Sequence, residues 1–261
     1  MTPRWSFTDL EFVVLWQRLR EDPLPHPFMF TSDIPYEDDF QRARVQVAER
    51  LRAMPDPALD AALEDVARPD IAIRVRGFDG ADPSNPTASI RLLAARRESR
   101  GYLLTQLPGR TIDHSAGFTV AEGEAVRLAD MVADALPDAP AGDYEPFTLP
   151  SGPGSGPADE FEAPTRLWDS YDEPPDARGR KFLSTVPERI GVIEIAQGMS
   201  RFGPKGRVVR LLHWRDLPGD GRHVITAGPP VTAAGVDRQR LIAAINAELV
   251  TVVRAIRDER V

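Results

Sequence analysis

The sequence contains no cysteine, which excludes disulfides, thiolate metal ligands and thiol catalysis together. Lysine is nearly absent: Lys181 and Lys205 are the only two, and the other thirty basic residues are arginine. With abundant alanine, aspartate and proline, that bias reads as a GC-rich coding preference rather than selection for a polyanion. Acids outnumber bases and leave a formal net charge of −8, so there is no global electrostatic argument for binding nucleic acid or an anionic membrane. No apolar run approaches the roughly 20 residues that cross a bilayer. The opening MTPRWSFTDLEF lacks the charged start, apolar core and small-residue cleavage site of a secretion signal. A soluble, cytoplasmic chain without membrane insertion is the expectation.

The familiar chemical signatures are missing as well. The four histidines, His26, His114, His213 and His223, are scattered, and none has the helical spacing of a metal ligand pair. His213 and His223 fit a cross-strand polar pair better than a metal site. GPGSGP at 152–157 is not a phosphate-binding loop, because it lacks the G-x-x-x-x-G-K-[ST] pattern and no clear strand precedes it. Ser115, Ser151 and Ser184 have no nucleophile-elbow context. The acidic pairs Asp38-Asp39, Asp159-Glu160 and Asp172-Glu173 sit on expected turns or helix starts, where acids complement the helix dipole. No catalytic residue, metal or cofactor is expected.

What is present is an ordinary globular balance, 42% hydrophobic and 28% charged, over a length that buries a sizeable core. Thr8-Asp9-Leu10-Glu11 is a capping box opening an amphipathic helix that ends before Pro23. DPLPHPF places prolines at 23, 25 and 27, which forces an extended crossing. Helices follow over 36–54 and 57–67. From Pro69 the period changes to two: Ile71, Ile73 and Val75 alternate with Ala72, Arg74 and Arg76, a strand. Residues 78–87 read as a loop, 89–96 and 102–107 as strands, and 121–136 as a helix. Residues 137–180 are rich in Pro, Gly and acid and read as linker or loop, with Phe161, Leu167 and Trp168 as a short helix or docking segment.

Strands at 189–197, 207–215 and 222–227 and a helix at 235–257 then repeat the order of the first half. GFTVAEGEAVRLADMVADAL aligns with GPPVTAAGVDRQRLIAAINAEL: Val120 matches Val231, and after a two-residue insertion Leu128 and Leu136 match Leu241 and Leu249. Two β-β-β-α modules suggest duplication and a pseudo-twofold sheet in an α/β (α+β) fold. The expected division is 1–142, a linker region 143–187, and 188–261, within one structural domain.

The stretch 189–216 carries six basic residues among two apolar runs. Arg210 shares a strand face with Val208, Leu212 and Trp214, which marks a structural hairpin rather than a nucleic-acid grip. Trp5, Trp16 and Trp214 read as core or core-edge aromatics.

Four stretches in this order carry a resemblance: the opening helix with Leu10, Glu11, Leu15 and Trp16 leading into DPLPHPF; RPDIAIRVRGF; LLHWRD before a glycine-led hairpin; and the ending GRHVITAGPPVTAAGVDRQRLIAAINAEL. Together they resemble the EspG family, proteins associated with ESX (type VII) secretion in actinobacteria, over nearly the whole chain. The resemblance implies a quasi-twofold α/β fold, a central antiparallel sheet flanked by helical bundles. It also implies a non-enzymatic cytoplasmic chaperone that binds the hydrophobic helical tip of PPE proteins in PE–PPE heterodimers and directs them to secretion. Carried onto this chain, the family's contact loop falls at Phe78–Thr87, with Phe78, Asp79, Asp82 and Asn85. The sheet face would include Arg74, Arg76, Arg91, Arg210 and Trp214. Arginines there would shield the rim and cap a client helix end. An exposed apolar face is also a route to a homodimer. The rival classes are a regulatory or structural interaction module using the same face, and an enzyme with an unrecognised site.

Overall fold

The structure, a computed structural model, describes residues 3–20, 23–143, 145–150, 177–228 and 230–259. Local signals place the N-terminal helices where the sequence puts them. The Thr8 hydroxyl accepts from the Glu11 N–H (3.3 Å) and the Glu11 carboxylate from the Thr8 N–H (2.9 Å), which fixes the start of α1 (Asp9–Leu19). α2 (Glu37–Ala53) opens on Glu37, Asp38 and Asp39 in its first turn, where these carboxylates complement the dipole. Asp56 caps α3 (Pro57–Ala67) by accepting from Ala58 and Leu59, with Pro57 pre-set at the first helical position.

Ten strands among the described residues form one antiparallel sheet. They are β1 (Arg4–Phe7), β2 (Ile71–Asp79), β3 (Ile90–Arg97), β4 (Arg100–Pro108), β5 (Ser115–Glu124), β6 (Phe147–Thr148), β7 (Arg189–Gln197), β8 (Val209–Leu217), β9 (Gly221–Thr226) and β10 (Thr232–Gly235). Their spatial order, β1-β5-β4-β3-β2-β7-β8-β9-β10-β6, is symmetric about the β2–β7 pair. The expected pseudo-twofold is therefore present, with one amendment. Each half has four consecutive strands before its helix, because β5 and β10 were not read as strands. The helix expected over 121–136 is in fact the end of β5, a 3-10 turn at Ala125–Arg127 and the short α4 (Leu128–Ala135). α5 (Ala177–Ser184) and α6 (Arg238–Asp258) complete the elements.

The sheet is covered differently on its two sides. One side packs Ile71, Ile73, Val75, Leu92, Ile193, Ile195 and Leu212 against α4 and against Leu241, Ile245 and Val252 of α6. On the other, α1 and α3 bury Phe12, Trp16, Leu59 and Leu63 over Ala72, Leu93, Tyr102, Leu104 and Phe118. At the far end of that second side, Phe147, Leu149 and Phe182 pack over Leu217, Ile225 and Ala233. Residues read as linker thus contribute β6, α5 and a small core of their own. GPGSGP, the two acidic pairs at 159–160 and 172–173, and Phe161, Leu167 and Trp168 lie outside the described residues.

Trp214 shows why two glycines sit at the centre. Gly77, Gly191 and Trp214 occupy successive strands in register, and the indole lies across both glycines. A Cβ on Gly191 would stand 2.1 Å from the ring, and one on Gly77 2.9 Å. The bare backbone makes room for a fully buried tryptophan next to the pseudo-axis.

A candidate docking face

Alternation places the other set of side chains from β2, β7 and β8 on the side opposite α6. Register aligns Arg76, Val192 and His213 in one cross-strand row, and Arg74, Glu194 and Leu211 in the next. α1 and α3 cover this side toward β5, and α5 with β6 cover it toward β10. Between them, among the described residues, the central strands are open. Ile190 is 38% exposed and Val209 47%, while Val192 and Leu211 are half-buried. The result is a shallow aliphatic strip on β7 and β8, edged along β2 by two arginines.

The electrostatics of the strip are largely settled within the protein. Arg74 donates to Glu194 at 2.5 Å across the β2–β7 pair, joining the two halves at their symmetry axis. The Arg76 guanidinium lies 5.7 Å from the centre of the Phe78 ring, a cation–π distance. His26, from the proline-rich crossing, completes the rim. Its pKa falls below the ordinary histidine value because it loses solvation, with Arg76 adding to the effect and Glu194 opposing it. The ring is therefore neutral at neutral pH and adds no charge to the arginines.

The loop after β2 is shaped by its own polar side chains. Asp79 accepts from the Ala81 and Asp82 amides at 2.9 and 3.0 Å and from the Asn85 side chain at 3.0 Å. Those bonds hold its carboxyl below the usual range, the Asp82 amide contributing most. Asp82 in turn accepts from Ser84, and Asn85 caps the 3-10 turn Pro86–Ala88 through the Thr87 N–H. Asp79, Asp82 and Asn85 thus build the loop beside the face, each with its side-chain oxygens engaged inside it. Arg91 lies next to Arg76 in register but is buried, and burial lowers its pKa.

Two expected face residues belong elsewhere. Arg210 and Trp214 do share a strand face, but it is the one α6 covers: Trp214 is fully buried, and Arg210 donates to Glu248 of α6 at 2.6 Å. In register, Glu194 faces Leu211 and Ile195 faces Arg210, so the row of Arg74 continues into leucine. A side-chain alternation read correctly along β8 was assigned to the wrong side of the sheet. His213 and His223 do not pair either, since His213 faces Ile225 and His223 faces Arg215.

The EspG family model matches residues 8–247, almost the whole chain. The chain belongs to the EspG family. A search of the solved structures finds the same fold in the Mycobacterium tuberculosis type VII secretion system chaperone EspG5, in complex with a PE25-PPE41 dimer. The likeness has a TM-score of 0.57 at 12% identity and covers 97% of this chain and 96% of that one. No curated protein matches. Among the described residues of this EspG-family chain, no helix is long and apolar enough to cross a membrane, and no cluster of side chains could hold a metal ion.

Sequence reasoning missed the residues that make the face apolar: Ile190, Val192, Val209 and Leu211, together with Glu194 and His26. The signal was available. Once Arg74 and Glu194 are taken as a cross-strand pair, alternation along β7 and β8 places the other four on the same side.

Proposed function

We propose that this chain is a cytoplasmic, non-enzymatic chaperone that binds PE–PPE-type substrates of an ESX (type VII) secretion system, covers their apolar helical tip and directs them to the secretion machinery. The observation that carries the reading is the open strip of Ile190, Val192, Val209 and Leu211 between two helix-covered ends of one sheet side. A helical tip exposes aliphatic side chains, which a dry strip removes from water at about 25 cal/mol per Å². Its last turn also leaves carbonyl oxygens without partners, and a guanidinium at the rim is suited to accept that role as donor. Arg74 and Arg76 stand at that rim, with the Asp79–Asn85 loop beside them. The bound PE25-PPE41 dimer of the EspG5 structure supports the substrate class. An unfilled strip also gives two copies of this chain a common surface on which to pair.

The test is co-expression of the tagged chain with a PE–PPE pair from its own genome. A stoichiometric complex is expected, lost when Leu211→Asp is introduced into an otherwise folded protein. A complex that forms equally well with Leu211→Asp would remove the strip as the docking face.

A further inference from the structure

On the helix-covered side of the sheet, α6 outruns its symmetry mate: it has 21 residues where α4 has 8. The two pack so that Arg238, at the start of α6, donates to Asp134 at 2.5 Å and lies 3.7 Å from Asp130. α4 thus covers the first half of α6, with carboxylates on one helix answering an arginine on the other. Among the described residues, the second half of α6 has no such cover. It borders the Ala125–Arg127 turn across a groove of about 490 Å³.

The groove has the same chemistry with one partner missing. Leu249 and Val253 form its floor, Val126 and Val250 its lips, and these two are 81% and 47% exposed. Val250, Arg254 and Arg257 follow one another at helical spacing, and Arg96 reaches in from β3. Three guanidinium groups line the groove and, among the described residues, no carboxylate does. Neither Arg254 nor Arg257 has an ion pair among those residues. On a chain of net charge −8, three arginines beside exposed valines, with no carboxylate among the described residues that line the groove, are a local feature with a direction.

We propose that this groove binds an acidic amphipathic helix of a partner protein, laid along α6 in continuation of the line of α4. Its aliphatic stripe would sit on Val126, Val250 and Val253, and its flanking carboxylates would meet Arg96, Arg254 and Arg257, as Asp130 and Asp134 meet Arg238. The ridge of side chains four residues apart on α6 is what a packed helix interdigitates with. Because the groove lies on the side of the sheet away from the open strip, a chaperone can hold its client and this second partner together.

The probe is a synthetic helical peptide about four turns long, with leucines at i, i+4 and i+7 flanked by glutamates, titrated against the full chain by fluorescence anisotropy. Saturable binding is expected. It should weaken about tenfold or more with Arg254→Glu and Arg257→Glu together, and again with Val126→Asp alone, and it should fall as salt is raised. A peptide of the same composition with its leucines dispersed should not bind. These residues are exposed, so circular dichroism and client binding should stay at wild-type levels, which separates this test from that of the docking face. Absence of peptide binding, or undiminished binding to the double variant, would overturn the proposal. So would a concentration-dependent dimer that the same substitutions dissolve, because a second copy would then be the occupant.

Discussion

The two sides of the central strands are made from one sequence pattern and come out opposite in character. Under α6, Ile73, Ile193, Ile195, Leu212 and Trp214 are almost completely shielded. One residue to either side along the same strands, Arg74, Val192, Glu194 and Leu211 stay half-open. The strands supply apolar side chains to both sides, so burial is decided by what the flanking helices reach. Among the described residues, α1 and α3 reach as far as β2, α5 reaches Arg215 and Leu217 at the end of β8, and α6 covers the middle of the other side. Among the described residues the axis of the sheet is bare on one side, and the proposed docking surface lies there.

The substitutions that break this comparison differ in size. Trp214→Ala empties the centre of the covered side and should cost about 3–5 kcal/mol, read as a lower midpoint in urea denaturation. Gly191→Val should cost about 1–3 kcal/mol, because the new Cβ meets the Trp214 ring and the Arg76 carbonyl at once. Leu211→Asp on the open side should change stability by no more than about 1 kcal/mol yet abolish client binding in a pull-down. Arg210→Glu should leave client binding intact. It replaces a partly exposed pair with Glu248 by a repulsion, and its stability cost should stay below about 1 kcal/mol.

The smallest effect is a pH dependence. The Asp79 carboxyl is depressed in the fold, so its contribution to the loop is complete above the ordinary aspartate range and disappears as pH falls through the lowered value. Hydrogen exchange at the Ala81 and Asp82 amides should therefore show more protection than in Asp79→Asn above the ordinary aspartate range, and the excess should be lost as pH falls through the lowered value.

α1, α2, α3 and α6 were legible in the sequence because their signals are local, whereas α5 fell in a stretch read as linker. The Thr8–Glu11 box, Asp56 followed by Pro57, and the long amphipathic stretch after Asp237 each specify an end without reference to the rest of the chain. β5 was not legible in the same way. Its second half, Ala121 to Glu124, runs into helix-forming residues, and only pairing with β4 and β1 makes it a strand. β1 and β6 have four and two residues, too few for a period to show. The site fell between these cases. Alternation gave the two faces of each strand correctly, but the match between strands rests on register, and a choice of Arg210 instead of Leu211 moved the expected face to the buried side.

The claim that the open side, and not the covered one, receives the client is tested most directly by calorimetric titration of a purified PE–PPE heterodimer into three proteins: wild type, Arg74→Glu with Leu211→Asp, and Arg210→Glu. The account predicts binding to wild type and to Arg210→Glu with closely similar affinity, and none measurable to the double variant. Loss of binding in Arg210→Glu, with the double variant unaffected, would contradict it.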